Sequence, residues 1–523
     1  MAQWTDARSA AGRHNPWLIV CIVSLATFME VLDTSIANVS LRHIAGGLSA
    51  SYDEATWVLT SYLISNAIII PISGWLSDVI GRKRYYMISV ALFTGSSLLC
   101  GLSPSLSVLI FARILQGIGG GGLAPSEQSI LADTFSPAQR GKAFAAYGIV
   151  VVVGPILGPT LGGTITDHAS WHWIFLINVP VGILSLILVG TFLCEPEALV
   201  KERQEKLKDG LRVDALGFAL VALGLGFLEF TLDRGERDDW FSSPTILATT
   251  AVSAVALIAL VFRELMARDP IVNLRLLGNR NFAITVFVMA TVGLIVFGST
   301  QIIPQMLQQV MDYSATEAGL ALTAGGLATI VVMPVVGMLA GRVDTRFLIV
   351  PALAVTILAL FHLASFNTDI SFRDAAFARL FQAVALPFLF VPVNTAAYVG
   401  LRPEETNQAS ALLNVSRNLG GSFGIAWAQT LLVRREQFHQ ARLVEGLNPL
   451  NPNFAQALHG AQSLITSGVD QMTGAMGVIY QQVQQQATTL AFLDVFHAFA
   501  IFVLFVAPSA LFLKGGKPAE AAH

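Results

Sequence analysis

WLIVCIVSLATFMEVLDTSIAN, residues 17–38, decides the fold. It is apolar over most of its length, and ~20 such residues cross the ~30 Å hydrocarbon core of a bilayer as a helix. Only helices and closed barrels satisfy their backbone inside lipid. The run lacks the two-residue alternation of a barrel strand, so it is read as a helix. Arg8 and Arg13 precede it, as in a signal peptide. The run nevertheless carries Glu30 and Asp33, lacks a clear small-residue cleavage site and is followed by many similar runs, so it reads as a span.

Thirteen further stretches of this kind lie at 56–76, 85–103, 107–131, 141–164, 173–193, 214–232, 244–264, 281–302, 317–340, 347–366, 375–400, 408–432 and 490–513. Hydrophobic residues make up 54% of the chain and charged residues 12%, with a mean hydropathy of +0.64. A soluble domain could not hide that much apolar surface. The expected fold is an all-α polytopic membrane protein with spans 1 to 14 in chain order. The net charge of -3 carries no nucleic-acid signal. Cys21, Cys100 and Cys194 are odd in number and far apart, which argues against disulfides and a zinc site.

Most of the 31 Lys and Arg fall in the links on one side of the spans. They include Arg82-Lys83-Arg84, Arg140, Lys142, the run Lys201 to Arg212, Arg263 to Arg280, Arg342 and Arg346. The positive-inside rule puts that side, and with it both termini, in the cytoplasm. The long outer link, 433–489, holds Val469, Met472, Met476, Ile479 and Val483 at spacings of three and four, which predicts an amphipathic helix.

An internal repeat orders the spans. Phe111-Ala-Arg113-Ile-Leu-Gln116 returns as Phe377-Ala-Arg379-Leu-Phe-Gln382, and Gly154 and Gly158 return at the same offset as Gly420 and Gly424. Two parallel six-helix halves are expected, 1–193 and 265–523. A cytoplasmic linker at 194–213 and two inserted helices at 214–264 separate them. Parallel halves suit alternating access by rocking.

Three groups of residues carry the candidate chemistry. Gly74-Trp-Leu-Ser-Asp78-Val-Ile-Gly81-Arg82 joins spans 2 and 3 and reads as a cytoplasmic gate. Its glycines allow a tight turn, and Asp78 can face a basic side chain or a helix N-terminus. Gly154-Pro155-Ile-Leu-Gly158-Pro159-Thr-Leu-Gly162-Gly163 in span 5 sets three glycines on one face for close helix approach. The doubled Gly-Pro predicts a bent, leak-tight interface between the halves. Glu30 and Asp33, three apart, share one side of span 1. A charge at mid-membrane costs ~2.5–3.5 kcal/mol on insertion scales and is functional by default. Two neighbouring acids in an apolar helix resist simultaneous ionisation, as a proton carrier requires. Arg113 is the expected partner, and Arg379 reads as its structural echo. Glu229 is expected off the main pathway. Spans 9 to 13 hold no mid-membrane acid by this reading, so coupling should rest on the N-terminal half.

These elements, with Arg113-Ile-Leu-Gln116-Gly117, resemble the motifs of the major facilitator superfamily. Leu32-Asp33-Thr-Ser-Ile-Ala-Asn38-Val39, Trp171-His-Trp-Ile-Phe-Leu-Ile-Asn178-Val-Pro180, Leu232-Asp233-Arg234-Gly235 and Arg417-Asn-Leu-Gly420-Gly421 look like signatures of its fourteen-helix drug:proton antiporters. Pro304-Gln-Met-Leu-Gln308 and Asn448-Pro-Leu-Asn-Pro452 are similar to the EmrB type. The chain departs from the signature at Arg42, where proline is usual, and at Glu30, where the EmrB type has an amide.

The resemblance implies export of hydrophobic or amphipathic compounds from a bacterial inner membrane, driven by inward proton flow and needing no cofactor. It implies a periplasmic adaptor and an outer-membrane channel as partners. Under it, Asp33, Glu30 and Arg113 couple protons, and Glu30, Asn38, Gln116, Asn414 and Arg417 line the substrate cavity. A proton-coupled importer is the rival reading. A membrane sensor or enzyme is a second, though no catalytic constellation or phosphate-binding loop supports it.

Overall fold

The computed structural model describes residues 15–195, 200–201, 203–204, 214–267, 270–368, 370–448, 451–464 and 471–513. Most of the 194–213 linker and Val469 lie outside them. No strand occurs among the described residues. Each expected span is helical: Pro16–Val39, Tyr52–Ile80, Arg82–Gly101, Leu106–Thr134, Pro137–His168, Trp173–Phe192, Ala215–Arg234, Pro244–Met266, Arg280–Val310, Ala315–Leu339, Thr345–Leu363, Phe372–Ala397, Thr406–Glu445 and Gln471–Ala510. Twelve of the described helices are long and apolar enough to cross a membrane. Spans 3 and 13 are not in that set. Span 3 starts on Arg82-Lys83-Arg84, and span 13 carries Asn407, Gln408, Asn414 and Arg417 within its first turns. Packing against apolar neighbours lets such polar helices sit inside a bundle.

The repeat is visible in the packing. Spans 1 and 5 pair closely, and so do spans 9 and 13. A methyl placed on Gly154 would stand 2.8 Å from Val31 of span 1, and one on Gly424 would stand 2.5 Å from the Leu294 carbonyl of span 9. The face expected between the halves therefore packs within one half. Gly158 meets Ser35 and Gly162 meets Ile36, whereas Gly163 faces open space. Pro155 is exposed and Pro159 continues the same helix. The opposite face of span 5 makes the contact between halves, with Gly141 against Ala340 and Gly337 of span 10. Small residues are needed there because two backbones approach at once.

The inserted pair, spans 7 and 8, packs through span 7 against span 2 and span 13. Span 13 has 40 residues, and so does span 14. At 1.5 Å per residue each is about 60 Å long, twice the hydrocarbon thickness. The expected 433–489 link is thus largely helix: its first part continues span 13 and its last part begins span 14. Pro452–Leu464 packs between them, with Phe454 and Ala461 against Ala475, Ile479 and Val483. Met472, Met476 and Tyr480 lie on the exposed side.

Candidate functional site

Four spans converge on Asp33. Its Oδ2 is 2.5 Å from a guanidinium nitrogen of Arg113 in span 4, and both side chains are fully buried. Oδ1 accepts from the Gln116 amide at 2.9 Å and from the Asn178 amide of span 6 at 2.7 Å. Arg113 also donates to the Val58 carbonyl of span 2 at 3.0 Å and to Gln116 at 2.7 Å, and lies over the Tyr62 ring. Gln116 donates on to Ser97 of span 3. Motifs that stood 145 residues apart, Asp33 and Asn178, are one hydrogen bond apart. Every partner of Asp33 is a donor, so the arrangement suits the ionised carboxylate. Breaking such a buried pair by removing one partner costs about 3–5 kcal/mol.

Glu30, one turn nearer the start of span 1, is held loosely. Its Oε1 accepts from the Tyr62 hydroxyl and the Asn66 amide, both at 3.4 Å. Arg417 acts on it electrostatically from span 13, in the other half. Glu30 and Arg417 are half-buried. Gln116 is enclosed in the Asp33 cluster, and Asn38 is exposed at the far end of span 1. Asn414 joins the halves by donating to Gln128 of span 4 at 2.7 Å.

The basic end, where Arg82-Lys83-Arg84 lies, is closed. Asp78 accepts from Asn407 at 2.5 Å, so it faces the N-terminus of span 13. Arg82 pairs with Asp133 at the end of span 4 and donates to the Pro403 carbonyl of the other half. A methyl on Gly74 would stand 3.0 Å from the Gln408 backbone, and Gly81 turns the chain at φ 100°. Both glycines are thus required, one by close approach and one by its backbone angle.

Two acids gain places the sequence reading does not give them. Glu229 of span 7 accepts from Ser422 of span 13 at 2.8 Å, and Asp233 accepts from Thr60 of span 2 at 2.5 Å. Span 7 therefore sits against the seam between the halves rather than apart from it. Glu127 in span 4 is fully buried and is not among the sequence candidates. It bonds to Thr27 of span 1 and Tyr86 of span 3. It falls inside the expected span 4, 107–131, and its charge there was the signal, masked by Ser126, Gln128 and Ser129, which read as the polar end of that span.

Residues 23–425 match the family model described as Major Facilitator Superfamily. The chain belongs to the major facilitator superfamily, in its EmrB-type branch. It is similar to the multidrug export protein EmrB of Escherichia coli, at 38% identity over 92% of this chain and 91% of that protein. It is also similar to the fatty acid resistance protein FarB of Neisseria gonorrhoeae, at 32% identity over 94% of each. Among solved structures, the proton:xylose symporter XylE superposes with a TM-score of 0.58 at 15% identity, covering 96% of this chain and 97% of that one. A bacterial homologue of the lysosomal transporter Spinster gives 0.53 at 16% identity, covering 96% of this chain and 97% of that one. These two likenesses concern the fold. The chain is an integral membrane protein.

Proposed function

We propose that this chain is a multidrug efflux pump of the inner membrane, exporting hydrophobic or amphipathic compounds in exchange for protons. The observation that carries the reading is the acid–arginine cluster of Asp33, Arg113 and Glu30, confined to one half beside the seam. Relatives named for multidrug export support the substrate class. The halves rock about the seam, with the basic end facing the cytoplasm. Asp78, Arg82 and the glycines 74 and 81 close that end. Protonation at Glu30 and Asp33 loosens the hold of Arg113 and Arg417 and permits the swing, and substrate occupies the space between the halves next to Glu30, Asn414 and Arg417. Spans 13 and 14 project on the far side, where a periplasmic adaptor, leading to an outer-membrane channel, would stand.

The test is proton release from purified protein on adding a lipophilic cation such as tetraphenylphosphonium, followed by its pH-driven uptake into vesicles. Release and uptake against the proton gradient are expected. Binding without release, or uptake along with protons, would support the importer reading instead.

A further inference from the structure

We infer that Glu127 is an inner relay for the coupling proton, receiving it from Glu30 and passing it to the cytoplasmic end. This inference rests on the proton-antiport reading and adds a residue to it.

Two buried acids differ in their partners. Asp33 is met only by N–H donors, the Arg113 guanidinium and the amides of Gln116 and Asn178. Glu127 is met mainly by hydroxyls. Its Oε2 contacts the Thr27 hydroxyl alone, and its Oε1 accepts from the Thr27 backbone N–H at 3.2 Å and the Tyr86 hydroxyl at 2.9 Å. A hydroxyl can donate or accept. Thr27 donates to an ionised Glu127 and accepts from a protonated one. The Tyr86 hydroxyl has a second acceptor, the Val23 carbonyl at 2.8 Å, to which its single hydrogen can turn when Glu127 is neutral. The site therefore accommodates both charge states with no heavy atom moved. No ion pair to Glu127 within 4 Å occurs among the described residues, so no fixed cation holds it ionised. A carboxyl serving only to tie helices together would not need such reversible partners.

Thr27 is three residues before Glu30 on span 1, a rise of about 4.5 Å. Asp33, Glu30 and Glu127 thus form a descending series along one side of span 1, towards the basic end. The charged and titratable groups facing Glu127 are Glu30 on span 1, Tyr86 on span 3 and Tyr147 on span 5, with Arg417 of span 13 acting on both Glu30 and Tyr147. None of the three partners competes as a proton carrier near neutral pH except Glu30, the donor. In the transfer, the O–H bond of Glu30 breaks and one forms on the Glu127 carboxylate. When the basic end opens, that proton leaves to solvent and the carboxylate is restored.

The experiment uses the full chain in liposomes, with tetraphenylphosphonium as probe and two assays. Uptake driven by a pH gradient needs net proton movement; exchange of labelled for unlabelled probe without a gradient does not. Glu127→Gln is expected to lower driven uptake at least tenfold and to leave exchange within about twofold, with Glu127→Asp recovering part of the driven uptake. Driven uptake retained by Glu127→Gln would overturn the relay alone. Equal loss in both assays would show a structural role and overturn it as well. A wild type indifferent to the pH gradient would overturn the antiport reading and the relay together.

Discussion

The two halves carry the same Arg-x-x-Gln on spans 4 and 12, and among the described residues only the first arginine is paired with an acid. In the N-terminal half Arg113 pairs with Asp33. In the C-terminal half Arg379 donates to Gln382 at 2.6 Å and to Thr300 at 3.4 Å, and the residue answering Asp33 at the repeat offset is Ser299. Glu30 and Glu127 are answered by Val296 and Val393. The framework is duplicated, whereas the ionisable chemistry is not. Both arginines organise their half through hydrogen bonds, so the arginine is a fold element first. What distinguishes the N-terminal half is the set of carboxyls placed along span 1.

The largest effect should come from erasing that difference. Asp33→Asn makes the first half resemble the second and is expected to abolish pH-driven uptake in vesicles. It leaves Arg113 buried without a counter-charge, so expression and thermal unfolding are measured beside transport, and Asp33→Asn with Arg113→Gln serves as a better-folded control. Unchanged uptake by a well-folded variant would remove Asp33 from the mechanism.

Glu30→Gln should act unevenly across substrates. Buried negative charge offsets the desolvation of a cation and offers a neutral compound little. Because Glu30 also hands on the proton, driven export of both classes is expected to fall, that of cationic compounds by about tenfold more, equivalent to ~1.4 kcal/mol. Equal losses in both classes would contradict a role in selectivity.

Asp78→Asn tests the seam that both halves share. It weakens charge-assisted hydrogen bonds worth ~1.5–3 kcal/mol, so the basic end should open more often. Spin labels at the basic ends of spans 2 and 13 would report a longer distance component. Identical distributions in both proteins would count against the gate. The smallest effect is expected at the second arginine: Arg379→Gln should cost stability but leave proton release per substrate unchanged. A lost proton there would end the asymmetry between the two halves.

Much of this was legible from residue order. Span positions follow from the free energy of placing apolar side chains in lipid, which is local to each run. The pairing of Asp33 with Arg113 could be expected from their kinds and depths. Asn178 as a third partner could not, since the contact depends on how span 6 leans on span 1. Glycine spacing announced close approach by span 5, but not which neighbour would approach; that proved to be span 1. Residues 433–445 and 471–489 are polar enough to read as a link, because hydropathy detects lipid contact and is blind to helices standing in water. Glu127 was hidden by its polar neighbours, all of which turn out to be enclosed by protein.

Span 13 runs unbroken from Thr406 to Glu445. Asn407, which grips Asp78, and Glu445 at the tip are thus on one rod about 57 Å apart. A rigid rod converts angle into displacement in proportion to its length. A tilt of roughly ten degrees about its lower end would carry the tip sideways by about 10 Å, given that rise per residue. Whatever rests against the projecting end of span 13 is therefore informed mechanically, in the same stroke, of whether the opposite end of the protein is locked.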